Sequence, residues 1–161
     1  MTKESNLKTL KQDYKKIQEK YNLPNFEELN DDFQIEKVAE NETDFLLREI
    51  RKLIAERLFN YLRFIETLLN PVNVPMFVYS IIKTFNFQEK EKLTKIYKKL
   101  AKKEVELIEL DIASTEEKEV EFIKDSYNLW QEIKKDVLSV VDAIKKNWDA
   151  KVEDNKKDYF G

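Results

Sequence analysis

Glycine is almost absent from this chain, and no other feature constrains the fold as strongly. The only glycine is Gly161, the last residue, and the three prolines are Pro24, Pro71 and Pro75. Tight hairpins and left-handed turns depend on glycine, whereas Lys, Glu, Leu and Ile are strong helix formers or common in apolar helix faces. The sequence therefore predicts an all-α protein and argues against a β-sheet.

Length and composition indicate one globular domain. The chain has 161 residues, of which 42% are hydrophobic and 38% are charged. A chain of this length can bury roughly two-thirds of its unfolded surface around one core, and this composition is too apolar for a disordered chain and too charged for a membrane protein. We therefore expect a soluble single domain over residues 1–161.

The spacing of apolar residues predicts a bundle of about five helices with a short helical connector. An amphipathic helix occupies residues 1–22, and a short helix capped by Asn25 leads into a connector that carries Ile35 and Val38. The strongest pattern covers residues 43–69, where the apolar stripe is wide enough to be covered on more than one side. We expect this long helix to be the central element of an up-and-down bundle.

Capping signals divide the second half of the chain into three further helices. Asn73 precedes a helix that is expected to continue through Phe85, Asn86 opens the next one, and Ser114 opens the last. Trp130 and Trp148 lie on the apolar stripe of this last helix, which predicts packing in the core, and Trp148, near the end, is expected to be the more exposed of the two. The charged residues 149–161 are expected to fray.

The absence of cysteine and histidine excludes many kinds of active site. Neither residue occurs, so nucleophilic triads, zinc sites and disulfides are all excluded. The sequence predicts no cofactor and no enzymatic activity. An alternative is a magnesium-dependent nucleotide hydrolase, because Glu106 with Glu109, and Glu116 with Glu119, have the spacing of carboxylate pairs on one helix face.

All four arginines lie in the predicted central helix. Arg51 and Arg57 lie about 60° from the centre of the apolar stripe, on opposite sides of it, so both are expected to be partly buried. Because a guanidinium can bind a carboxylate or a phosphate through two hydrogen bonds, both arginines are candidate anion-binding residues. Pairing with carboxylates of neighbouring helices is the favoured interpretation.

Charge is strongly segregated along the chain. Residues 88–103 contain seven lysines and two acids, and residues 104–121 contain eight acids and one lysine. Mutual neutralisation of these runs is the favoured interpretation. The alternative is a lysine face that binds a nucleic-acid backbone or an acidic protein, although the net charge of −3 disfavours nucleic acid. The candidate residues of this face are Lys95, Lys98, Lys99, Lys102 and Lys103.

The segment 74–85 is more apolar than one narrow helix face can bury. We therefore predict that part of it forms an exposed patch that binds a protein partner or a second copy of the chain. The candidate residues are Met76, Phe77, Tyr79, Ile82 and Phe85. The run from Val72 to Ile82 is about half the length needed to cross a bilayer.

These observations favour a helical interaction protein, such as an adaptor or an accessory subunit. No apolar stretch of signal-peptide length follows Met1, so we expect a cytoplasmic protein that does not bind membranes. The two alternatives are an accessory nucleic-acid-binding protein and the magnesium-dependent hydrolase.

Overall fold

Helices account for nearly all the secondary structure of the chain. The computed structural model describes the backbone of residues 3–160 and the side chains of residues 4–157. This part of the chain contains six α-helices, one 3₁₀-helix and no strand, which confirms the predicted all-α class. The helices are α1 (Lys3–Tyr21), α2 (Phe26–Phe33), the 3₁₀-helix Ile35–Glu40, α3 (Leu46–Leu69), α4 (Met76–Ile82), α5 (Phe87–Ile112) and α6 (Glu116–Phe160).

The chain divides into two compact units. The first unit contains residues 1–60 and 102–130, and the second contains residues 61–101 and 131–161. Helices α3, α5 and α6 each contribute residues to both units. The single domain expected over residues 1–161 stays a prediction.

The core of the first unit is built around the first half of α3. Ile50, Ile54 and Leu58 lie one turn apart and are completely buried, as the stripe on this helix predicted. Near them in sequence, Ala55 belongs to a buried cluster with Leu110 of α5 and Phe122 of α6. Buried residues from the remaining elements of this unit include Leu10, Tyr14, Phe26, Leu29, Phe33, Ile35 and Val38.

Two turns in the first unit adopt left-handed backbone conformations without glycine. Asn22 follows α1 with φ 53°, and Gln34 follows α2 with φ 55°. The Gln34 N–H donates to the Asn30 carbonyl at 2.7 Å, which closes the end of α2. Because a side chain disfavours this conformation, the short connection around Gln34 depends on its hydrogen bonds, including one from the Glu36 N–H to Asn30 Oδ1 at 2.8 Å.

The core of the second unit uses the other half of α3. Leu62, Ile65 and Leu68 continue the buried stripe of this helix. Helices α4, α5 and α6 and the turn after α4 supply the remaining buried side chains, which include Ile81, Ile82, Phe85, Leu93, Ile96, Leu100, Ile133, Val137 and Val140.

Helix starts agree with the sequence at two of the four predicted caps. Asn25 Oδ1 accepts from the Glu27 N–H at 2.8 Å, which caps α2. Asn86 and Glu89 form the complete reciprocal capping box at the start of α5, with both bonds at 2.8 Å.

The other two predicted caps are wrong. Pro75, rather than Asn73, is the cap of α4, and no side-chain hydrogen bond caps this helix. The proline ring fixes φ at a value that the extended residue before a helix can adopt. At the start of α6, Thr115 Oγ1 accepts from the Lys118 N–H at 3.2 Å. The Ser114 hydroxyl instead donates to Glu119 Oε1 at 2.9 Å.

Helix ends differ from the prediction in two places. Helix α4 ends at Ile82, three residues before Phe85. Helix α6 continues to Phe160 instead of ending near residue 148, so most of the segment expected to fray is helical. Gly161, with which that segment ends, lies outside the described residues.

Candidate functional site

The predicted partner-binding residues of segment 74–85 divide between surface and core. Met76 is 81% exposed, and Phe77 and Tyr79 are half-buried. Ile82 and Phe85 are buried in the second unit, so they contribute to its core instead of to a surface. With only seven residues, α4 presents its first turn outward and its last turn inward.

An aromatic pair lies beside the exposed end of α4. The Phe77 and Trp148 rings meet edge to face, with centroids 4.7 Å apart and an interplanar angle of 80°. Asn147 Nδ2 donates to Thr84 Oγ1 at 2.8 Å, which joins α6 to the turn after α4. Trp148 is substantially exposed whereas Trp130 is buried, in agreement with the expectation that Trp148 is the more exposed of the two. We call Met76, Phe77 and Trp148 the α4 surface.

Arg51 is buried and fully engaged within the first unit. Its Nε donates to Glu119 Oε2 at 2.9 Å, and its Nη1 donates to Asp111 Oδ1 at 2.9 Å. The carboxylate of Glu119 is also buried, and it accepts a further hydrogen bond from the Ser114 hydroxyl. This cluster joins α3, α5 and α6, and it corresponds to the intramolecular pairing favoured by the sequence.

Arg57 binds the backbone instead of a carboxylate. Its Nε donates to the Asp32 carbonyl oxygen at 3.3 Å. The bond joins α3 to the end of α2. Neither Arg51 nor Arg57 therefore presents a guanidinium that is free of protein contacts.

Most of the candidate lysine face is paired with carboxylates. Lys95 lies 3.3 Å from Glu91, and Lys99 pairs with Glu132 of α6. Of the five candidate lysines, Lys98 makes no ion pair with the side chains of residues 4–157. Lys102 and Lys103 pair with Glu106 of the acidic run, as the favoured interpretation predicted, whereas the partners of Lys95 and Lys99 lie outside that run.

Lys103 differs from the other lysines because it is buried. Its ammonium group pairs with Glu106, lies 3.9 Å from Asp125 and stands 5.1 Å from the centre of the Phe122 ring. An ammonium group with two carboxylates and an aromatic ring around it is held in place by its own chain. It is not available as part of a lysine face.

The carboxylates proposed to hold magnesium are also occupied by cations of the protein. Glu106 pairs with Lys103, Glu109 lies 3.8 Å from Lys118, and Glu119 binds Arg51. Glu116 accepts hydrogen bonds from the Lys20 ammonium and the Tyr21 hydroxyl. Within the described residues, no group of three or more acidic side chains is arranged to bind a metal ion.

A cavity of about 210 Å³ lies beside Lys103 in the first unit. Two apolar side chains form part of its wall, and the remaining lining residues carry four negative and two positive charges. Several of these charges already pair with one another. The lining residues are Lys103, Glu106, Glu109, Leu110, Lys118, Glu121, Phe122 and Asp125.

Sequence reasoning missed an exposed apolar stripe on α5. Val105, Ile108 and Ile112 are all exposed, and their spacing of three and four residues places them on one side of the helix. Leu110 lies on the opposite side and is buried. A helical wheel of residues 102–112 could have revealed both apolar faces. We call Val105, Ile108 and Ile112 the outer α5 stripe.

Comparisons with known proteins add no assignment to these surfaces. No protein-family model, curated protein or solved structure matches the chain. Within residues 3–160, no helix combines the length and the apolar character that a membrane span requires.

Proposed function

We propose that this protein is a non-enzymatic interaction protein, an adaptor or an accessory subunit, that binds a protein partner through the α4 surface. The observation that carries the proposal is the 81% exposure of Met76, which directly precedes Phe77 of the Phe77–Trp148 pair. Large flexible and aromatic side chains are enriched at the centres of protein interfaces, where they supply contact area and fill pockets.

The contacts around the α4 surface support a preformed binding site. The edge-to-face contact between Phe77 and Trp148 and the hydrogen bond from Asn147 to Thr84 fix α6 beside α4. A surface that is already ordered loses little side-chain entropy on binding. Met76 supplies an adaptable side chain beside this rigid pair.

The proposed absence of enzymatic activity rests on the residue types that the chain contains. Without cysteine or histidine, catalysis would depend on Asp, Glu, Lys, Arg, Tyr, Ser and Thr, and the glutamates with suitable spacing are bound to Lys and Arg side chains. We also propose that the protein acts in the cytoplasm. Imaging of the tagged full chain in its native cell tests this location.

The proposal is tested by affinity capture from the native cell with two variants of matched exposure. Met76→Ser changes the α4 surface, and Phe87→Ser changes a side chain of the same unit that is 80% exposed, against 81% for Met76. We expect Met76→Ser to lose the partner and Phe87→Ser to retain it. Binding should persist in high salt and after nuclease treatment, because apolar contacts are not screened by ions.

Two results would contradict the proposal. One is a partner that both serine variants retain equally, since Met76 would then play no part in binding. The other is capture of nucleic acid alone, released by salt, which would favour the lysine face.

A further inference from the structure

The outer α5 stripe is an apolar surface on the side of α5 that faces away from the core of the first unit. Taking Val105 as reference and roughly 100° per residue, Ile108 and Ile112 lie within about 60° of it, whereas Leu110 lies about 140° away. Leu110 is buried and the three stripe residues are exposed. The helix therefore buries one apolar face and leaves a second one uncovered by the described residues.

Two charged residues border the outer α5 stripe on the same side. Lys102 and Glu109 lie about 60° and about 40° from Val105, in the same direction around the helix. Both are exposed, and each makes a long, solvent-exposed ion pair within the chain, at 4.0 Å from Lys102 to Glu106 and 3.8 Å from Glu109 to Lys118, which contributes little to stability. Each can therefore pair with another molecule at little cost.

When two copies of α5 run in opposite directions, the positive residue of each copy lies beside the negative residue of the other. Lys102 precedes the stripe residues and Glu109 lies among them towards the C-terminal end of α5. In an antiparallel pair related by a two-fold axis, the same flank of both helices lies on the same side of the contact. Lys102 of one copy then meets Glu109 of the other, twice. In a parallel pair this flank would instead meet the opposite flank, which carries Glu104 and Asp111, so the Lys102–Glu109 pairs could not form and Glu109 would face Asp111.

We infer that the outer α5 stripe binds a second copy of this chain, with the two α5 helices antiparallel. Val105 of each copy lies opposite Ile108 of the other, and the two Lys102–Glu109 pairs flank this apolar contact. The opposite flank carries Glu104 and Asp111, and the charge of Asp111 is already compensated by Arg51 at 2.9 Å. This inference uses a surface separate from the α4 surface and does not depend on the proposed function.

The small size of the stripe limits the strength of this association. Residues 105–112 cover about 10 Å of helix, and three apolar side chains per copy place the contact at the low end of the range for protein interfaces. The dimer should therefore be weak, form only at high protein concentration and weaken further as salt screens the lysine–glutamate pairs.

Sedimentation equilibrium of the full chain tests the apolar part of the inference. Ile108→Gln removes an apolar side chain from the stripe, and Leu138→Gln is its control, because each side chain is 56% exposed on a helix. We expect Ile108→Gln to raise the dimer dissociation constant about tenfold or more, and Leu138→Gln to leave it unchanged. A chain that stays monomeric at all attainable concentrations, or equal effects of the two changes, would overturn the inference.

Exchange of the flanking charges tests the orientation. Lys102→Glu and Glu109→Lys should each weaken self-association, because each change places like charges together twice. An equimolar mixture of these two variants should form a heterodimer with both charge pairs restored, and bind at least as tightly as the unmodified chain. A mixture that associates no better than either variant alone would refute the antiparallel arrangement. Circular dichroism of each variant checks that the helices remain intact.

Discussion

Replacement of Arg51 by methionine should destabilise the fold far more than replacement of a neighbouring surface cation. Arg51 Nε and Nη1 each donate a hydrogen bond of 2.9 Å, the first to Glu119 and the second to Asp111. Arg51→Met fills a similar apolar volume but leaves the buried Glu119 carboxylate without its main partner. Asp111 is exposed and can be hydrated instead.

The expected loss follows from the burial of Glu119. Removing one member of a buried ion pair costs about 3–5 kcal/mol, because the remaining charge stays desolvated. Arg48 lies 4.0 Å from Glu119 and the Ser114 hydroxyl still donates to it, so we expect a value near 3 kcal/mol. This is a large part of a typical stability of about 5–15 kcal/mol.

Urea unfolding followed by circular dichroism measures this loss as a shift of the midpoint at unchanged slope. Lys52→Met is the control, because Lys52 is the next residue on α3 and forms an exposed pair with Glu49 at 2.8 Å. That change should cost less than about 1 kcal/mol. The double variant Arg51→Met with Glu119→Met should recover much of the loss, since no buried charge remains.

Either of two results would refute this reasoning. In the first, Arg51→Met is no more destabilising than Lys52→Met, and the buried pair then contributes no more than a surface pair. In the second, the double variant is no more stable than Arg51→Met alone, and the loss then arises from packing instead of from the isolated carboxylate.

Two further predictions concern Tyr14 and the start of α5. Burial, with a smaller contribution from Tyr127, raises the pKa of the Tyr14 phenol above its ordinary value. The folded protein therefore favours the neutral phenol, whereas the unfolded chain ionises at about pH 10. The free energy of unfolding should consequently fall as pH rises above about 10. Tyr14→Phe loses the 2.7 Å hydrogen bond to the Pro24 carbonyl, which should lower the free energy of unfolding by about 0.5–1.5 kcal/mol at neutral pH. Urea titrations at several pH values should also show that the stability of this variant falls less steeply above about pH 10. An equally steep fall would contradict this prediction. Asn86→Ala removes the cap bond to the Glu89 N–H and should lower stability by about 0.5–2 kcal/mol in thermal unfolding. Asn73→Ala is its control, because α4 has no side-chain cap, and equal losses would exclude a capping effect.

Apolar spacing predicted the helices well because burial of one helix face imposes a period that can be read along the chain. The stripe through Ile54 and Leu58 is completely buried. Helix ends were harder to predict, since they depend on single hydrogen bonds. The sequence indicated Asn73 as the cap of α4, and the structure places the cap two residues later, at Pro75.

Long-range partners could be predicted by type but not by identity. The position of Arg51 beside the apolar stripe indicated partial burial and a carboxylate partner, yet Glu119 lies 68 residues further along the chain and competes with many other acids. For the segment 74–85, composition predicted surplus apolar area. Only the three-dimensional packing distinguishes exposed Met76 from buried Phe85.

The outer α5 stripe was missed for a different reason. The lysine run and the acidic run dominate the composition of this helix, so the sequence was interpreted through its charges and the faces of its apolar residues were not analysed. Val105 and Ile112 are both exposed, whereas Leu110 between them is buried. Two apolar faces on one helix are distinguishable only when the angular position of each residue is considered.

The division of the chain into two units has a consequence for attempts to isolate either part. The unit boundaries fall at residues 60/61, 101/102 and 130/131, within α3, α5 and α6. Each unit is therefore assembled from two separate stretches of sequence, and no single cut releases one of them intact. Limited proteolysis should spare these helical positions, because a protease requires an extended, exposed backbone. Each boundary is crossed by an unbroken helix, so we expect the two units to lose their structure in one cooperative transition.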